Sequence, residues 1–86
     1  MLEENLRNLS QKQIRLLWFC KMRRPLREIV SNFSANYYYM ALQMRMLYNK
    51  GLIRRIKTGN SVSYLTPVNI ACEIDDLKQG NILSIQ

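Results

Sequence analysis

The chain changes its hydrophobic period sharply at Gly51, and that change limits what it can fold into. Ahead of it, Met40, Met44 and Leu47 recur at i, i+4 and i+7, with Tyr37, Ala41 and Tyr48 beside them, which makes one apolar helical face. Behind it, residues 52–57 and 62–66 are short β-favouring runs on either side of Thr58-Gly59-Asn60-Ser61, and Gly-Asn is a two-residue hairpin signal. Gly51 supplies the left-handed residue that commonly ends a helix. Ser34 offers a hydroxyl to the first free amides, so a helix is expected over 34–50 and a hairpin over 52–66. Tyr37 and Tyr48 are expected in the core with the methionines.

The flanking segments read as support for this unit. Leu2, Leu6 and Leu9 lie at i, i+4 and i+7 and suit a short arm over 1–9. Ser10-Gln11-Lys12-Gln13 is a capping-box pattern, and it starts a helix expected over 10–23. Ile14, Leu16, Leu17, Trp18, Phe19, Cys20 and Met22 make that helix apolar nearly all the way round, which calls for burial on more than one side. Pro25 stops it and biases Arg24 towards an extended shape. A short helix over 26–33 follows, with Leu26, Ile29, Val30 and Phe33 inward. Past the hairpin, Thr66 is placed to cap a helix over 67–79 that opens on Pro67, with Ile70, Ile74 and Leu77 as its stripe. Residues 81–86 fit a short strand or a docked tail, and the sequence leaves that choice open.

The order helix, turn, helix, glycine stop and basic hairpin resembles the winged helix-turn-helix domain of small regulators of the MarR, ArsR and PadR kinds. Leu47, Gly51-Leu52-Ile53, Tyr64-Leu65-Thr66-Pro67 and Pro25-Leu26-Arg27-Glu28-Ile29 carry the resemblance, which spans residues 14–77. It implies one mostly α, α+β domain: a three-helix core, a two-stranded β-hairpin wing and a C-terminal helix. It further implies that 34–50 is a recognition helix. Two features depart from the family pattern: Val30 is bulkier than the usual residue there, and Asn32-Phe33-Ser34 makes the turn without a glycine.

Charge narrows the function. The chain carries a net +7, unevenly spread: residues 12–57 hold eleven Lys or Arg against Glu28 alone, a net +10. A field of one sign over the suspected reading unit favours a polyanion. Catalysis has little to work with, since there is no histidine and no glycine-rich phosphate loop, and adjacent acids on a helix diverge by about 100°. Two distant cysteines without histidine are too few for a zinc site, so no metal and no cofactor are expected. No run reaches the ~20 apolar residues that span a bilayer, and the opening Met-Leu-Glu-Glu-Asn is no signal peptide, so a cytoplasmic protein with no membrane partner is expected.

The expected function is therefore sequence-selective binding of double-stranded DNA by a homodimer that regulates transcription. With the core face at Met40, Met44 and Leu47, the outer face of the recognition helix carries Ala35, Tyr38, Tyr39, Leu42, Arg45 and Met46. Asn36 and Gln43 flank it as adenine readers, Leu42 suits a thymine methyl, and Ser34 sits at the helix start. Arg54, Arg55, Lys57, Asn60 and Ser61 form the wing's contact set; a simple hairpin points only one of Arg54 and Arg55 fully outward, and Arg55 with Lys57 is favoured. Lys21, Arg23, Arg24 and Arg27 are expected on the DNA backbone around the start of the helix-turn-helix, Arg24 and Arg27 foremost. Leu6, Leu9, Leu16, Phe19, Ile70, Ile74 and Leu77 are expected at the dimer interface. The rival is a winged-helix module that docks on another protein through Leu42 and Met46, because that face is apolar for a groove reader.

Overall fold

The computed structural model describes residues 8–79, with side chains described to residue 76. Its elements run α1 (Gln11–Phe19), β1 (Arg24–Pro25), α2 (Leu26–Phe33), α3 (Tyr37–Asn49), β2 (Arg54–Thr58), β3 (Ser61–Leu65) and α4 (Val68–Gln79). The wing is larger than a two-stranded hairpin. Arg24 and Pro25 pair antiparallel with Tyr64 and Ser63, giving a three-stranded sheet in the order β1-β3-β2. The extended shape that Pro25 imposes on Arg24 is what makes this pairing available.

Leaving the helix early is the condition for that strand. α1 begins on a full capping box at Ser10 and Gln13 but ends at Phe19, four residues short of the expected 23. Met22, expected inward, is 67% exposed on the connection. The orphan carbonyls at the end of α1 are then met from the far end of the wing. Thr66 donates its Oγ1 to the Leu17 carbonyl at 2.6 Å and its backbone N–H to the Cys20 carbonyl at 2.8 Å. Thr66 is thus buried and occupied, and does not cap α4 as expected. Pro67 takes the cap position instead, its carbonyl accepting from Ala71 N–H at 2.9 Å.

Helices α2 and α3 end in the same way. Ser34 is left-handed (φ 49°, ψ 44°), Ser34 N–H reaches Ser31 O and Ala35 N–H reaches Val30 O. Gly51 is left-handed (φ 75°), Gly51 N–H reaches Tyr48 O and Leu52 N–H reaches Leu47 O. Both are Schellman closures, and each satisfies two carbonyls at a helix end. At the second, the residues joined across the turn, Leu47 and Leu52, are both buried. The wing turns at Gly59-Asn60 between paired Thr58 and Ser61, as expected. Only the first of the two central residues has positive φ (60°), the pattern of a type II′ turn.

The core gathers Leu9, Ile14, Leu16, Leu17, Cys20, Ile29, Met40, Met44, Leu47, Leu52, Ile70 and Ile74 from all four helices and the start of the wing. This alters the case for a second subunit. Leu9, Leu16, Ile70 and Ile74 are already buried within one chain, so they have no surface to offer a partner, while Phe19 is half-buried. One side of α1 packs on the chain's own α4 and its last carbonyls bind Thr66, while Trp18 and Phe19 stay half-buried. Leu6, the arm before residue 8, the side chain of Leu77 and the tail 81–86 lie outside what is described. Cys20 and Cys72 are free thiols, the first buried and the second exposed. Burial pushes the Cys20 thiol up to about 12, against a smaller pull from the Arg24 charge, so it stays protonated and inert.

The Thr66 clamp gives a direct test. Thr66→Val keeps the shape and the backbone bond but strands the Leu17 carbonyl, and should lower the unfolding free energy in urea by about 1–3 kcal/mol.

Candidate nucleic-acid interface

Asn36 sets where the exposed helix begins. Its Oδ1 accepts from Tyr38 N–H at 2.9 Å and Tyr39 N–H at 3.1 Å, so Asn36 is the N-cap of α3. Ser34, expected in that role, closes α2 instead. The helix therefore starts at Tyr37, three residues after the expected position. Helix geometry then distributes the side chains. Met40, Met44 and Leu47 point into the core, while Tyr38, Leu42, Arg45 and Met46 are exposed on the opposite side.

Two side chains expected to read bases are committed inside the fold. Gln43 is half-buried and its Oε1 accepts from Gln13 Nε2 of α1 at 3.3 Å, while the same Gln13 receives the Ser10 N–H on its own Oε1. Asn36 Oδ1 already accepts two bonds, which fills the acceptor that a bidentate adenine contact needs, and the Gln13 bond turns the Gln43 amide towards α1. Arg24 is likewise committed. Its Nε donates to the Phe19 carbonyl at 3.1 Å, its Nη1 pairs with Glu28 at 2.8 Å, and its guanidinium stacks 4.4 Å from the Phe19 ring. It fastens the end of α1 to α2, a use that competes with the expected backbone contact.

Other residues join the surface against expectation. Tyr37 and Tyr48, expected in the core, are 52% and 48% exposed. They lie at the edge of the apolar stripe, turned towards the wing rather than inward. With Ala41, Arg45, Arg55 and Tyr64 they line an open trough of about 640 Å³ between α3 and the wing. A second hollow, of about 390 Å³, continues it past Arg27 to Asn60 and Ser61 at the wing tip, sharing Leu26, Tyr37 and Val62 with the first. The signal for the tyrosines was their hydroxyl, which favours a wet edge over a sealed core.

On the wing, Arg54 and Arg55 are both exposed, not one of the two. β2 is an edge strand that projects beyond the core, so both of its faces meet solvent. Arg55 and Lys57 pair with Tyr64 and Val62 and share their face, towards α3. Arg54 takes the other face. Arg23, expected near the DNA backbone, donates Nη2 to Thr58 Oγ1 at 3.2 Å and so braces the wing near its tip. On the α1 side, the Lys12 ammonium stands 5.2 Å from the Tyr39 ring centroid. Among the described residues the acids lie apart from this surface: Glu28 is paired with Arg24, and Glu73, Asp75 and Asp76 are on α4.

A helix, a turn, an exposed second helix and a three-stranded wing beside it define a winged helix-turn-helix fold. The solved structures agree. A mutant MarR from E. coli complexed with operator DNA superposes with a TM-score of 0.73 at 18% identity, covering 91% of this chain and 61% of that one. HlyU from Vibrio cholerae N16961 gives 0.72 at 14% identity, covering 95% and 90%, and its reduced form gives 0.70 at 15% identity, covering 91% and 83%. This chain thus spans about three fifths (61%) of the MarR chain it matches. No protein-family model matches the sequence, and no curated protein does. At these identities the likeness is one of fold.

The cap assignment separates a structural Asn36 from a reading one. Asn36→Ala should cost about 0.5–2 kcal/mol of stability, whereas Asn36→Asp or Asn36→Ser should retain nearly all of it, as read from urea midpoints.

Proposed function

We propose that the protein is a DNA-binding transcription regulator that sets α3 in the major groove of double-stranded DNA and lays the wing on the minor groove or its phosphates. The observation that carries this reading is the pairing of an exposed α3 with a wing whose facing side bears Arg55 and Lys57, flanked by Arg27 and Arg45, on a surface apart from the described acids. A cationic two-stranded tip beside an exposed helix is complementary to a groove bounded by phosphates. The fold it shares with a MarR captured on operator DNA supports the same reading.

A homodimer belongs to the proposal on grounds of information. One recognition helix brings three or four side chains to base edges, too few to single out one site in a genome. Two copies on half-sites about 34–36 Å apart would double the sequence read. Leu9, Leu16, Ile70 and Ile74 are buried within one chain, so the contact between copies would draw on other surface. The rival reading, protein docking through Leu42 and Met46, draws on the exposure of both side chains.

Salt separates the two. Arg55→Gln with Lys57→Gln should weaken binding to every duplex and reduce the slope of log affinity against log salt by about two, roughly 0.9 for each phosphate no longer neutralised. Duplex binding that is insensitive to these changes, together with loss of a protein partner on Leu42→Ala or Met46→Ala, would favour the rival.

A further inference from the structure

The outer surface of α3 carries one straight row of side chains. Tyr38, Leu42, Arg45 and Asn49 stand at i, i+4, i+7 and i+11, a line along a helix of 3.6 residues per turn. All four are exposed, Tyr38 at 80% and Leu42 at 54%. Tyr37, Ala41 and Tyr48 fall on the wing side of this row, while Tyr39 and Gln43 turn towards Lys12 and Gln13 of α1.

The fold has already narrowed the chemistry of this row. Asn36 at the start of the helix has its acceptor oxygen filled by two amides, and Gln43 in the middle is turned to Gln13 of α1. What remains between residues 38 and 45 of the row is a phenol, a branched alkyl group and a guanidinium. In a major groove a guanidinium pairs bidentately with O6 and N7 of guanine. A branched alkyl group has only the C5 methyl of thymine to touch.

Resting on the duplex-DNA reading above, we infer that Leu42 and Arg45 read a thymine next to a guanine, through the thymine methyl and the guanine O6/N7 edge. Three residues of helix rise about 4.5 Å. That is close to the ~3.4 Å of one base step, so the two contacted pairs are neighbours. Tyr38, about 6 Å along the row, is two steps away and presents its hydroxyl to the flanking backbone. The preferred target is a methylated pyrimidine beside guanine, not the adenine that Asn36 and Gln43 would have selected.

Uracil tests this, because it pairs like thymine but lacks the C5 methyl. The full chain is used to select from random 20-base-pair duplexes, in parallel pools made with thymine or with uracil. The thymine pool should yield a motif with a T·A pair next to a G·C pair. Resynthesis of the selected duplex with deoxyuridine at that one position should weaken binding roughly fourfold, the worth of about one buried methyl. Leu42→Ala should make the two duplexes equal. Arg45→Ala should lose roughly 5- to 150-fold and relax the preference for guanine. Both side chains are exposed, so circular dichroism should match that of the parent. A motif indifferent to uracil, or a thymine preference that survives Leu42→Ala, overturns this assignment and leaves DNA binding standing. No enriched motif from either pool defeats the DNA-binding reading and the assignment with it.

Discussion

Two left-handed backbone positions fix where the exposed helix lies. Ser34 and Gly51 bracket α3, and each closes the preceding helix through paired hydrogen bonds from the turn back to its last carbonyls. The first reverses the chain so that Asn36 can cap α3; the second releases it into Leu52 and Ile53, both buried, and then into the wing. A serine held at φ 49° sits where L-residues are strained, by about 1–2 kcal/mol. The closure it makes, and the cap two residues on, offset that cost. If either turn opened, the angle between α3 and the wing would be lost, and with it the trough that both elements line.

The second organising effect is competition for polar side chains. A chain of this size has few hydrogen-bonding groups to spare, and this one uses several to hold its elements together. Gln13 links the start of α1 to α3, Arg24 links the end of α1 to α2, and Thr66 links the end of the wing back to α1. What this leaves on the outer face of α3 is tyrosine, leucine, methionine, Arg45 and, at the far end, Asn49. The first three turns of that face look apolar for a groove reader because Asn36 and Gln43 are used within the chain. Positive charge is supplied beside it, by the wing and by Arg27.

Much of this was legible in the chain. The period change at Gly51, the two-residue turn at Gly59-Asn60 and the 26–33 helix are local signals, and each appears where its residues place it. Some of the misplaced details share one cause: a residue with a plausible local use was taken by a distant partner. Thr66 is a good cap by sequence but meets Leu17, 49 positions away. Gln43 is a good base reader but meets Gln13, 30 positions away. Arg24 reads as an extended DNA-backbone contact, and its extended shape is used in a strand whose partner is Tyr64. The burial of Leu16, Ile70 and Ile74 within one chain could not be foreseen either, since periodicity shows which face is apolar without showing what covers it.

The central claim is that α3 and the wing form one face for duplex DNA, and backbone amide shifts measured during titration with a mixed-sequence 24-base-pair duplex test it most directly. Perturbations should be confined to the outer residues of α3, from Tyr38 to Asn49, and to the wing from Arg55 to Ser61, with α4 from Asn69 to Asp76 unmoved. Shifts centred on α1 and α4 with α3 and the wing silent would contradict it.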